Sequence, residues 1–209
     1  MMARQAASTK RAHSYGEQRT FRGLENFAIR RRLLRARLFL DLLVVQNPGK
    51  QLHCLELGCG YWGRNLVALS RDYPGIEFSG VDLSVSKEAS GFELIEADLT
   101  TWAPQKTYDG VLSLAVAEHL LDPQTHFALI AKCLLQGGLA GLTTPAPQAH
   151  FVLSTLARLG IFDREEISDH KLYLTRTGLE ALANGAGFTV EQYREFSLWL
   201  NQWMLLRKM

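Results

Sequence analysis

The residues with the clearest chemical promise lie in LELGCGYWG, residues 55–63, between an apolar run and an expected helix. Gly58 and Gly60 let the backbone turn tightly and approach a ligand, and the helix start beyond them offers free N–H groups and a positive dipole end. Gly58, Gly60 and Gly63 also satisfy G-x-G-x-x-G, a dinucleotide fingerprint that is weak by itself. Asp82, in VDLS, stands 24 residues after Gly58, where a carboxylate accepts both hydroxyls of a ribose. One strand later IEADL carries Asp98, an acceptor suited to the exocyclic amine of adenine. Either aspartate alone reads equally well as a strand-end cap; the loop and both acids in this order reinforce one another.

A second group of residues offers proton-transfer chemistry. Glu118 and His119 follow the expected fourth strand, His150 the fifth, and His170 precedes a late helix in SDHKLYLTR. All four are expected near the carboxyl ends of parallel strands, where open α/β sheets hold their ligands. A plainer reading stands beside each. Glu118 and His119 also suit a helix cap or pocket wall, His170 a surface turn, and His150 a helix start.

Positioning these groups requires a framework, and the chain alternates short apolar strands with helical stretches as a parallel sheet wrapped by helices does. Strands are expected at 53–57, 77–82, 92–96, 108–115 and 139–143, and helices at 63–73, 124–135, 149–159 and 175–186. Runs at 189–196 and 199–207 are too closely linked for a parallel crossover, which predicts an antiparallel hairpin at the sheet's edge. The fold class is therefore α/β, a doubly wound sheet of seven strands, mostly parallel, with helices on both faces. Ahead of it, Phe27, Leu34, Leu38, Leu42 and Val45 fall at helical spacing in a basic helix expected over 19–47, which Asn47, Pro48 and Gly49 end.

The 209 residues, 47% apolar and 21% charged, suit one globular domain, residues 19–209 with a core at 52–209, behind a polar tail at 1–18. Three cysteines are too few for a disulfide scaffold and suggest a reducing, cytoplasmic setting. No apolar run approaches the roughly 20 residues of a membrane span, and the start lacks the apolar core of a signal peptide, so neither is expected. The net charge of +2 conceals an asymmetry. Residues 1–50 hold eleven Lys/Arg against three Asp/Glu, a balance of +8, which leaves −6 for the rest. A basic arm for an anionic partner and a solvated helix face both produce such a split.

From Leu52 onward the sequence resembles the class I S-adenosylmethionine-dependent methyltransferases, a Rossmann-like family. LELGCG matches the first motif with its acid at Glu56, GVDLS the second, EADL the third and YDGVLSLAVAEHLLDP the fourth. LLQGGLAGLTTP matches the fifth-strand segment, and HKLYLTRTGLEALANGAGF the late helix. The resemblance implies S-adenosylmethionine as cofactor. The loop of Gly58, Cys59 and Gly60 would pass under its methionine and ribose parts, with Glu56 supporting the loop or the amino group. Asp82 would hold the ribose hydroxyls, Leu83 would pack on the adenine, and Asp98 with the Leu99 amide would read its edge. Backbone at Leu114 and Ala115 would complete the methionine site. One departure is visible: the family's usual G-x-G-x-G has Trp62 at its third glycine position, and Gly63 follows.

The expected function is methyl transfer to a hydroxyl or activated carbon of a small molecule. Glu118, His119 and His170 are the candidate catalytic groups, and no metal is expected. The apolar hairpin LWLNQWMLLRK and the helix at 151–159 favour a lipidic or aromatic acceptor, and the +8 segment is the place expected to select it. Two alternatives stay open. One is a metal-assisted RNA 2′-O-methyltransferase, whose Glu-x-x-Glu-His run is only half present because Ala115 replaces the first Glu; the basic N-terminal helix suits RNA, but a nucleic-acid partner is not the expectation. The other is a cofactor-binding regulator without turnover. A short-chain dehydrogenase is excluded, since no tyrosine has Lys four residues later.

Overall fold

In the computed structural model, the described residues are 22–88, 91–149 and 173–209. Seven strands form one sheet: β1 (Leu52–Leu57), β2 (Ile76–Asp82), β3 (Glu93–Glu96), β4 (Tyr108–Leu114), β5 (Leu134–Pro145), β6 (Phe188–Phe196) and β7 (Asn201–Lys208). Their order is β3-β2-β1-β4-β5-β7-β6. The first five pair in parallel, and β7 runs antiparallel between β5 and β6, so the expected C-terminal hairpin is present with β6 at the edge. Described helices are α1 (Arg22–Gln46), α2 (Arg64–Asp72), α3 (Pro123–Cys133) and α4 (Arg176–Gly185), with a single 3₁₀ turn at Ala117–His119. Most of the helix expected at 149–159 lies outside the described residues. Among those residues no helix is long and apolar enough to cross a membrane.

Both faces of the sheet are covered, which is why every residue of β4 is buried, the polar Asp109 and Ser113 included. One core layer joins Leu55, Leu57, Val111, Phe127, Ile130 and Leu142 beneath α3 and α4. The other joins Phe39, Leu40, Leu43, Leu112, Leu139 and Trp203 beneath α1. Glycine in the central strands brings α1 close: a Cβ on Gly110 would lie 2.8 Å from Leu43 Cδ2, and one on Gly141 3.1 Å from Phe39. Leu43 thus sits over the start of β4, Phe39 over the middle of β5, and Arg35 stacks on Phe196 at the far end of β6. The N-terminal half of α1 therefore reaches the carboxyl ends of the strands.

The face that α1 buries differs from the one its spacing suggests. Ala36, Phe39, Leu40 and Leu43 are buried, whereas Leu34 (43% exposed), Leu38 (52%) and Val45 (74%) face outward. At roughly 100° per residue the two sets are about half a turn apart. The helix is apolar on both sides, so periodicity alone leaves its rotation open, and the glycine-lined groove decides it. A second difference lies at β5, which begins at Leu134 directly after α3 rather than at 139. Leu134 and Leu135 continue the helical apolar pattern in sequence, but Leu134 pairs with Tyr108 and the chain kinks at Gly137, φ +76°.

Candidate active site

The cofactor half of the site is built at the carboxyl ends of β1, β2 and β4. β1 ends in Leu57, and the next residue, Gly58, has φ +73° and donates its N–H to Val81 O at 2.8 Å. A Cβ there would lie 2.4 Å from Val116 Cγ2, so glycine is required for both conformation and closeness. Gly60 is also left-handed, but among the described residues nothing lies within 4 Å of where its Cβ would be. The loop thus has open space above it. Gly63, φ +55°, precedes α2, and Ser86 N–H closes the loop's outer side on Tyr61 O at 2.7 Å.

Beneath the loop, Glu56 is fully buried. Asn65 of α2 donates to its Oε1 at 2.7 Å, and Oε2 has no partner. Burial pushes this carboxyl up to about 7 against the opposing Asn65 hydrogen bond, and the nearby Asp82 charge adds to the rise. Asp82, at the end of β2, accepts Gly60 N–H at 2.7 Å. Its carboxyl is raised by burial and lowered by N–H groups of Gly60, Leu83 and Ser84. Leu83 follows with 61% exposure, and Trp62 is 47% exposed with its ring edge-on to Tyr61 at 5.0 Å. Cys59 turns its thiol away from the open side, into the core against Gly80 and Leu66, so its part in the loop is a backbone one. Asp98 is exposed; its Oδ1 accepts the Thr100 N–H at 2.9 Å and hydroxyl at 2.7 Å. The strand-end cap is therefore present there, and it engages one carboxylate oxygen. Leu99, next along, is half-buried against the core.

At the end of β4, Leu114 is buried and Ala115 adopts φ +60°, costly for a residue with a Cβ. The strain is held by Thr143 of β5, whose carbonyl and hydroxyl oxygens both accept the Ala115 N–H at 3.0 Å. This turn sends the chain into the 3₁₀ turn that carries Glu118 and His119. Glu118 is 1% exposed, its Oε2 without a partner, while His119 is exposed. Burial raises the Glu118 carboxyl to about 7, with Arg32 and the Thr144 hydroxyl pulling the other way. Tyr173, just before α4, lies near enough that the Glu118 charge raises its phenol further than burial does alone. Asn65, Thr143, Thr144 and Tyr173 were not singled out as site residues from the sequence, although Thr143, Thr144 and Tyr173 fall within matched segments; Asn65 reaches Glu56 from the first turn after the loop, and the sheet order brings Thr143 beside Ala115. His150 and His170 lie outside the described residues. Among the described residues no three His, Cys, Asp or Glu side chains form a metal-binding group.

An orphaned carboxylate oxygen under an open glycine turn, with an acid at the end of the neighbouring strand, fits a nucleoside-bearing cofactor. The sequence matches the family described as a methyltransferase domain over residues 27–193. The chain belongs to the class I S-adenosylmethionine-dependent methyltransferases. Trans-aconitate 2-methyltransferase of Acidovorax ebreus (strain TPSY) is 28% identical over 118 residues, 53% of this chain and 45% of that protein. Pavine N-methyltransferase of Thalictrum flavum subsp. glaucum is 27% identical over 41% of this chain and 27% of its own. The matches thus span less than half the length of these curated relatives. The solved magnesium protoporphyrin IX methyltransferase of Synechocystis PCC 6803 with bound SAH superposes with a TM-score of 0.66 at 16% identity, covering 97% of this chain and 95% of that one. At that identity the likeness shows the methyltransferase fold.

Proposed function

We propose that this methyltransferase carries the methyl group of S-adenosylmethionine to an oxygen or activated carbon of a small-molecule acceptor. The observation that carries the reading is the buried, unpartnered Glu56 Oε2 beneath the open left-handed turn at Gly60, with Asp82 at the next strand end. When bound, the cofactor supplies an already activated methyl group. The protein's task is then to hold the acceptor in line and keep water out. In this reading Glu56 receives the amino group, Asp82 exchanges its Gly60 contact for the ribose hydroxyls, and Leu83 covers the adenine. Asp98 keeps Oδ1 on Thr100 and offers its other oxygen to the adenine edge. The strained backbone at Ala115 borders the methionine portion.

Glu118 is the group we assign to proton removal when the acceptor is a hydroxyl. It is buried, half-satisfied, and near 7 at rest, which suits a base that works at neutral pH. His119 at the exposed end of the same turn and His170 remain candidates to assist it. Apolar acceptors draw narrower support than the sequence suggests. Trp203, Met204, Leu205 and Leu206 of the hairpin are core residues, and only Leu198 and Trp199 between β6 and β7 stay exposed, at 81% and 65%. The three buried thiols of Cys54, Cys59 and Cys133 support a reducing, cytoplasmic setting. Isothermal calorimetry with S-adenosylmethionine and with NAD tests the cofactor assignment. Binding is expected for the first alone and should be lost in Asp82→Ala; unchanged affinity in that variant would defeat it.

A further inference from the structure

Two buried oxygens at the carboxyl ends of β4 and β5 have no hydrogen-bond partner among the described residues. Glu118 and Thr144 are each only 1% exposed, yet Glu118 Oε2 accepts no bond and Thr144 Oγ1 neither donates nor accepts one. A buried polar group left unsatisfied costs folding free energy, so two of them at one place call for a missing partner.

The backbone brings the two together. Thr143 takes the Ala115 N–H on both its carbonyl and its hydroxyl oxygen at 3.0 Å, which fixes the exit of β4 against β5. The 3₁₀ turn that carries Glu118 starts two residues later and packs against β5. Side chains alternate along a strand, so Thr144 faces the side opposite Thr143. Its cross-strand neighbour Gln202 spends both amide hydrogens elsewhere, on Pro145 O at 3.1 Å and on Leu174 O at 2.8 Å. The Thr144 hydroxyl stands within reach of the Glu118 carboxyl, which it draws downward, but Oγ1 and Oε2 are both left without a full hydrogen bond.

Such a pair suits one bridging group that donates to the carboxylate and accepts from the threonine hydroxyl. A neutral hydroxyl does both. A carboxylate has no proton to give and would face the Glu118 charge, and a protonated amine has no lone pair for Thr144.

We propose that Glu118 Oε2 and Thr144 Oγ1 together bind the acceptor's reacting group, and that this group is a neutral hydroxyl. The hydroxyl donates to Glu118 and takes the Thr144 O–H on one lone pair, which leaves the other for attack. As that pair forms the bond to the methyl carbon, the carbon–sulfur bond breaks with its electrons kept by sulfur, and the proton passes to Glu118 Oε2. The positive charge on sulfur and the negative charge on the carboxylate vanish in the same step. The inference rests on the reading of this edge as the methyl-transfer site and narrows its acceptor to a hydroxyl.

The test is calorimetry of the full chain at pH 8, above the Glu118 value near 7, with phenol, benzoate and benzylamine, each with and without S-adenosylhomocysteine. The shared ring suits the exposed Leu198 and Trp199, which precede the Asn201–Pro145 pairing at the same edge. Phenol is expected to bind, and the other two at least tenfold more weakly. Thr144→Val keeps the side-chain shape and should weaken phenol about fivefold, while Thr144→Ser restores it. Because Thr144→Val removes an orphaned hydroxyl, its Tm should not fall, and its affinity for S-adenosylhomocysteine should stay the same. Glu118→Gln exchanges a charged acceptor for a neutral amide and should weaken phenol about tenfold, which answers the question should Thr144→Val fold poorly. Benzoate or benzylamine bound as tightly as phenol overturns the proposal, as does phenol bound equally by the parent and both variants. Binding of none of the three assigns the pair to a water molecule and overturns it too. If S-adenosylhomocysteine fails to bind, the functional reading falls, while the phenol titrations without it still decide whether the pair is a hydroxyl site.

Discussion

Glu118 and Glu56 are both buried carboxyls with one oxygen unpartnered, yet their neighbours give them different work. Glu56 is flanked by a second acid, Asp82, and tied to Asn65, so it is held in place under the loop. Glu118 has Arg32, Thr144 and Tyr173 around it and lies next to the strained Ala115 turn. A base with a resting value near 7 is inactive when protonated. For a hydroxyl acceptor, kcat/KM should therefore rise with pH through about 7 and level off. Glu118→Gln should lower kcat/KM by roughly 10²-fold or more and flatten that rise. A pH profile in the variant that keeps its inflection near 7 would assign the titration to another group.

At the scale of elements, the rotation of α1 is the arrangement most open to test. Leu40→Ala should cost about 2–5 kcal/mol, because it opens a cavity between the helix and β4–β5. Leu38→Ala, two residues away and half exposed, should change stability by less than about 0.5 kcal/mol. Urea unfolding of the two variants checks the face directly, and equal losses would contradict it. The contrast also explains what was readable in the sequence. The loop at Gly58–Gly60, Asp82 and the seven strands were legible because each is a local pattern in which backbone need and residue type coincide. The face of α1 was not, since Leu34, Leu38 and Val45 compete with Phe39, Leu40 and Leu43 on apolar grounds alone. Its true partner, the groove at Gly110 and Gly141, lies some seventy to a hundred residues away in the chain. The start of β5 was hidden for a related reason, because Leu134 looks helical until Tyr108 is beside it. The basic charge of the N-terminal segment was countable, but that Arg35 meets Phe196 depends on that same rotation.

For the whole molecule, stability should depend on pH through three buried groups. Glu56 and Glu118 have folded values near 7, above the ordinary ~4.3 of an unfolded glutamate. The folded state thus holds their protons more tightly, and the stability this gives is complete below about pH 4 and lost as pH rises through about 7. His126 of α3, bonded to Ser113 of β4 at 2.8 Å in the core, behaves oppositely. Burial lowers it to about 4 from the ordinary ~6.5, so its contribution is full above about 6.5 and lost as pH falls toward 4. Two carboxyls outweigh one imidazole, and the urea midpoint of the free protein should fall between about pH 5.5 and 8. Glu56→Gln should shallow that fall; an undiminished slope would show that Glu56 is not its source.

The sheet is open, and its two borders are the short β3 and the longer β6. Glu93 and Glu96 stand exposed on the first, and Glu191, Gln192, Arg194 and Glu195 on the second. An added strand from another copy would have to strip water from these charges on either side. Charge on both margins therefore opposes the edge-to-edge stacking that turns open sheets into aggregates.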